Sequence, residues 1–224
     1  MKNIAKNPVP DQLAEQRLLP DADFRTMSQA VKQVVRESLL DEQGALCCYC
    51  MSRLALQHSV IEHWMPQSRF PDNTLDYDNM LLSCEGGRNR RRPGDTSKTL
   101  HCDTRKGSAL LKYNPAKDDI EGGFAYAADG TVRYAADAEF DRQIDELLNL
   151  NEEFLRRQRA AVIDAVITAL YMITGIDACA RLRILRDKWL ARDACGRLQP
   201  YCMAAVYYID KRIQKLQGAC ECAE

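Results

Sequence analysis

Apolar residues at Met27, Val31, Val34, Val35, Leu39 and Leu40 recur at the three-and-four spacing of one helix face, which predicts a helix over residues 24–43. Gly44 stops it. Upstream, residues 1–23 carry Pro8, Pro10 and Pro20 and no apolar period, so they read as an extended arm. Downstream, the β-branched pair Val60–Ile61 predicts a short strand that Pro66 brings to an end. "LDYDNMLLSC" (75–84) reads as a polar turn entering a second apolar strand. "GFAYAADGTVRYA" (123–135) alternates around Asp129–Gly130 and predicts a hairpin. From Ala138 onward the pattern turns helical. Ile144, Leu147, Leu148, Leu155, Val162, Ile163 and Val166 form one stripe, and "CARLRILRDKWLAR" and "YCMAAVYYIDKRIQKL" form two more. The expected class is α+β and mostly helical. The expected divisions are an arm (1–23), a helix (24–43), a loop-rich module (44–113), then a hairpin with C-terminal helices (114–224).

Composition narrows this picture. The 224 residues suit one domain, or a small module set in a larger helical body. A net charge of −1 excludes binding of polyanions by bulk charge, so any nucleic-acid contact must come from a local patch. The start, "MKNIAKNPVPDQLAEQ", lacks the apolar core of a signal peptide. The longest apolar stretch, "AVITALYMITGI", is too short to cross a bilayer. These features read as a cytoplasmic, reducing setting without membrane contact, where clustered cysteines point to metal before disulfide.

Ten cysteines are present, five of them in residues 45–107 together with all three histidines. Cys47 and Cys50 make a C-x2-C pair, whose tight turn aims two thiolates at one ion. A tetrahedral zinc needs two more ligands, and Cys84 and Cys102 are the candidates despite their wide separation. The alternative for all four is a set of buried free thiols. Cys48 is the spare beside the pair. Cys179, Cys195, Cys202, Cys220 and Cys222 show no comparable grouping.

The order C-x2-C, then "EHWMPQS", then "DNMLLSC", then "CDTRKG" resembles the HNH endonuclease motif. More narrowly, "KNPVP", "DEQGALCCYC" and "LLNLNEEFLRRQR" resemble the HNH proteins of Septu and retron antiphage systems, the PtuB-like group. The resemblance runs over roughly residues 1–160 and is most specific over 41–107. It implies a ββα-metal module stabilised by zinc and embedded between helices. It places His63 as general base, Glu62 and Asp103 as ligands of a catalytic Mg²⁺ or Mn²⁺, and Asn79 as the residue that pins the loop and orients the histidine. Glu62 stands where the family often has Asp, and Asp103 where it has Asn or His. Such an ion would bind the scissile phosphate and stabilise the leaving oxygen. Apart from the resemblance, Glu62 reads as a surface charge, His63 as a core histidine, Asn79 as a turn residue and Asp103 as a helix cap. Asn89 is a rival ligand. His101 stays open as a third cation ligand, a phosphate contact or a substitute zinc ligand.

Between Cys84 and Gly107 lies a surplus of four positive charges. Arg88, Arg90, Arg91, Arg92 and Lys106 are the expected contacts to nucleic-acid phosphates, a positioning role that reads no sequence. The alternative is a solvated loop. The resemblance further implies an ABC/SMC-like (PtuA-like) ATPase partner, and in retron systems a reverse transcriptase with its msDNA. The arm and the C-terminal helices are the expected docking surfaces. Two other functions fit the same residues: a stand-alone nuclease of restriction or toxin type, and a non-catalytic zinc module that binds nucleic acid or an ATPase.

Overall fold

A computed structural model describes residues 1–88 and 99–221. The predicted phosphate contacts Arg90, Arg91 and Arg92, the rival ligand Asn89, and Cys222 lie outside the described residues. The chain is α+β and mostly helical, with seven α-helices and two small antiparallel sheets among the described residues.

The N-terminal segment departs from the extended arm expected of it. Pro10, with φ of −58°, leads into a short helix α1, Asp11–Gln16, whose Leu13 is fully buried. A helix this short needs just one buried residue, so it leaves no apolar period to read. Residues before it are extended but bound to the body. Lys6 Nζ reaches Glu42 Oε1 at 2.5 Å and the Met80 carbonyl at 2.8 Å, and it lies over the Tyr77 ring. The Asn7 amide donates to Glu42 Oε2 at 2.9 Å.

Helix α2, Gln29–Glu42, begins later than the apolar pattern predicts because Ser28 caps it, accepting from the Val31 amide at 3.2 Å. Gly44 ends it at φ +59°. A Cβ there would lie 2.6 Å from the Leu198 side chain, so the position favours glycine twice over.

Strands β1 (Ser59–His63) and β2 (Met80–Cys84) pair antiparallel, with Glu62 opposite Leu81 and His63 opposite Met80. Met80, Leu81, Leu82 and Ser83 are all buried, so β2 is the inner strand. Helix α3, Cys102–Lys106, packs on β2. The expected hairpin is present as β3 (Phe124–Tyr126) and β4 (Val132–Tyr134). Helices α4 (Ala138–Glu146), α5 (Glu153–Tyr171), α6 (Ala178–Leu190) and α7 (Cys202–Glu221) follow.

The main core runs from Met1 through both strand pairs to Leu155 and Ile163, and it includes Cys47, Cys48, Cys50 and Cys102. A second apolar cluster joins α5, α6 and α7 through Val166, Leu170, Leu182, Ala205 and Ile209. The segment between α4 and α5 ties these helices to the module. The Leu148 carbonyl accepts from the Cys102 amide at 2.9 Å, and Asn149 Nδ2 donates to the Leu100 carbonyl at 2.9 Å. Among the described residues, no helix is long and apolar enough to cross a membrane.

Candidate metal centre and active site

The first feature is a four-thiol cluster. The turn at 47–50 supplies Cys47 and Cys50, the end of β2 supplies Cys84, and the start of α3 supplies Cys102. Their sulfurs all lie within 4.8 Å of one another. Cys47 Sγ is 3.8 Å from Cys102 Sγ, and Cys50 Sγ is 3.8 Å from Cys84 Sγ. With Zn–S bonds near 2.3 Å, a tetrahedral site has edges of about 3.8 Å, so the donor set and its spacing fit zinc. The wide gap between Cys84 and Cys102 is bridged in space by β2 and α3 lying together.

Surrounding donors suit an anionic thiolate cluster. Ser52 Oγ lies 3.0 Å from Cys50 Sγ, and the Cys84 amide donates to Cys47 Sγ at 3.4 Å. Burial pushes the Cys47 thiol up, but hydrogen bonds from Cys102, Cys48, Cys50 and Cys84 hold it well below its usual value. His101 lies against this group. It is buried, with Nδ1 3.2 Å from Cys102 Sγ and 3.8 Å from Cys84 Sγ. The spare Cys48 is also buried, and burial with a hydrogen bond to Cys47 raises its thiol well above the usual value.

On the other side of α3 the chain gathers charge. Glu62 is buried, and its Oε1 takes the Lys106 ammonium at 2.6 Å and the Tyr49 hydroxyl at 2.8 Å. Burial and a hydrogen bond with the Asp103 carboxyl push Glu62 up to about 8, while Lys106 pulls it back. Even with the ammonium beside it, burial keeps the Glu62 carboxyl far above the usual carboxylate range. Asp103 is half-buried in the first turn of α3 and does not cap it. Lys106, expected on a phosphate, has no exposed side-chain surface and also donates to the His63 carbonyl at 3.2 Å. Its desolvated charge is held by Glu62. Arg88 is exposed.

His63 leaves β1 next to Glu62 but points to a different set of partners. Its Nε2 lies 2.8 Å from the Thr74 carbonyl, which can only accept, so Nε2 carries the proton. Nδ1 is therefore the lone-pair nitrogen, and the Gln67 amide donates to it at 3.1 Å. The Phe24 ring meets the imidazole edge-on at 4.6 Å. Burial holds His63 below its ordinary value and so keeps it neutral.

Asn79 fixes the loop that carries these partners. Its Oδ1 accepts from the Met65 amide at 2.7 Å, and its Nδ2 donates to the carbonyls of Met65 and Asn73, each at 3.1 Å. With its own carbonyl accepting from Trp64, Asn79 staples both ends of the 64–73 loop. The structure thus brings together Glu62, Asp103 and Lys106, while the side chains of His63 and Asn79 engage residues 65–74, and Lys106 reaches His63 at its backbone carbonyl. Tyr49, Gln67 and Thr74 escaped the sequence reading. Tyr49 and Gln67 stand inside the quoted motifs "CCYC" and "EHWMPQS", but Thr74 left no signal because it acts through its backbone.

The chain is similar to a protein of Vibrio cholerae serotype O1 biovar El Tor named "Retron Vc95 putative HNH endonuclease". They are 25% identical over 150 residues, which span 63% of this chain and 69% of that protein. No protein-family model matches the chain. The likeness points to the HNH endonucleases in a retron context.

Proposed function

We propose that this protein is a metal-dependent HNH endonuclease that hydrolyses phosphodiester bonds in nucleic acid as the effector of a retron-type antiphage system. The observation that carries the reading is the state of His63, a neutral imidazole with Nε2 tied to a carbonyl and a lone pair on Nδ1, on the same strand as the buried carboxyl of Glu62. The similarity to the retron Vc95 protein supports the same assignment. In this reading residues 44–113 form the ββα-metal module, and zinc on Cys47, Cys50, Cys84 and Cys102 holds α3 against β2.

His63 Nδ1 takes a proton from the attacking water after the Gln67 amide gives way. Thr74 then shares the charge of the resulting imidazolium through Nε2. Asn79 keeps the 64–73 loop, and therefore Gln67 and Thr74, in place around the ring. Glu62 and Asp103 offer hard oxygens suited to Mg²⁺ or Mn²⁺. When bound, the ion supplies charge stabilisation to the phosphate and the leaving oxygen. Exposed Arg88 and its neighbours in the basic segment position the backbone. The partners that go with the reading are an ABC/SMC-like ATPase and a reverse transcriptase with its msDNA, testable by co-purification from the native host.

The deciding experiment is His63→Ala in the full chain, assayed on DNA and RNA with zinc content and circular dichroism measured alongside. Cleavage should fall by roughly 10²- to 10⁴-fold, the usual contribution of a general base, with zinc retained. Unchanged cleavage would defeat the enzymatic reading and leave a zinc module that binds nucleic acid or a partner.

A further inference from the structure

Among the described residues, Lys106 is the positive charge bound in this site. Its ammonium lies 2.6 Å from Glu62 Oε1, with the lysine side chain fully buried and Glu62 4% exposed. A buried ion pair of this kind is weak evidence for stability, since desolvating two charges offsets most of their attraction. The pair is therefore better explained by what it does to the site than by what it adds to the fold. It sits on one of the two Glu62 oxygens that could hold a divalent ion, and α3 supplies both the competing cation, Lys106, and the second carboxyl group, Asp103.

The helix that carries the lysine is short and ends in open space. Helix α3 is five residues long and ends at Gly107, with φ +54° and no atom within 4 Å of where a Cβ would stand. The ammonium rides on a flexible four-carbon stem. Among the described residues it contacts Glu62 Oε1 and the His63 carbonyl, so leaving costs it one charged and one neutral contact.

We propose that Lys106 is a resident counter-ion of the catalytic cation site: it neutralises Glu62 until a divalent ion displaces it, and the released ammonium then turns outward to the phosphate. This rests on the nuclease reading above and extends it. The apparent affinity for the ion is reduced by the fraction of molecules in which Lys106 holds Glu62. The arrangement also accounts for the exchange of roles at Lys106, which is buried here yet was expected on a phosphate.

The test uses the zinc-loaded full chain and Mn²⁺ as probe, titrated by electron paramagnetic resonance. Lys106→Met should tighten Mn²⁺ binding by about tenfold or more, as expected if Lys106 occupies Glu62 in nine molecules of ten. Glu62→Gln should abolish the tight site. In the wild-type protein, saturating Mn²⁺ should make Lys106 react with an amine-acylating reagent, read by peptide mass spectrometry, where without Mn²⁺ it is protected. Unchanged or weaker Mn²⁺ binding in a folded Lys106→Met variant overturns the proposal. So does labelling of Lys106 that Mn²⁺ does not move, and this second readout decides alone if the variant fails to fold. If no Mn²⁺ binds but His63-dependent cleavage persists, the counter-ion idea falls while the nuclease reading stands; if both are absent, both fall.

Discussion

Gln67 controls what His63 can do more directly than any residue apart from the histidine itself. Its amide donates to Nδ1, so it favours the neutral ring and the tautomer with the proton on Nε2. Burial already holds His63 below its ordinary value, so the base form should persist below about pH 6.5 and the acid limb of the rate profile should lie under that value. Gln67→Glu would set a carboxylate against Nδ1, favour the imidazolium and move that limb upward. Gln67→Leu should leave the limb low but reduce kcat, since the ring loses one of its two anchors. A pH–rate series on the three proteins checks this, and an unmoved limb in Gln67→Glu would show that Gln67 does not face the base. At this scale Glu62, His63, Asn79 and Asp103 were legible because their order in the chain resembles a known motif. Gln67 escaped notice and the burial of Lys106 was not foreseen for a physical reason: their contacts are with partners four and 44 positions away, which spacing does not encode.

At the scale of elements, the joint between β2 and α3 decides whether the metal centre forms. Gly86 makes that joint, with φ +57° and a virtual Cβ 2.2 Å from the His101 carbonyl, and its own carbonyl accepts a hydrogen bond from the His101 amide at 3.1 Å. Gly86→Ala should therefore cost about 1–2 kcal/mol from left-handed backbone strain, with the clash at the His101 carbonyl adding to it. Because the same joint spaces Cys84 from Cys102, the loss should appear as zinc released at lower chelator concentration, followed with a colorimetric zinc indicator. Equal zinc retention would mean that the joint is adaptable. The helix faces, both strands and the Asp129–Gly130 turn were readable from periodicity and turn chemistry. Helix α1 was not, because its single buried leucine makes no pattern. The start of α2 was misplaced because the first apolar residue of the face, Met27, precedes the Ser28 cap.

For the whole molecule, the cysteine cluster is the knot that joins otherwise separable parts. Four sulfurs bring together the 47–50 turn, β2 and α3, and Cys102 is tied to Leu148 ahead of α5. The sequence alone made the four cysteines candidates, but the two-pair spacing that would have made them certain is broken by the insertion between Cys84 and Cys102. Contact across the fold replaces spacing along the chain. The second apolar cluster, between α5, α6 and α7, contains none of the four cysteines. Metal removal should therefore unravel the module while these helices, which hold most of the helical residues, persist. Zinc binding to small structural sites is worth about 10–16 kcal/mol in isolated peptides. Here the surrounding core shares the load, and a net loss of roughly 5 kcal/mol corresponds to a fall in Tm of roughly 10–20 °C for a chain of this size. Treatment with a strong chelator should thus lower Tm by that amount with far-ultraviolet circular dichroism largely kept, and zinc should restore it. Cys50→Ser should reproduce the lowered Tm without chelator. If Tm is indifferent to both, the four thiols are packed as small apolar side chains and the centre holds no metal.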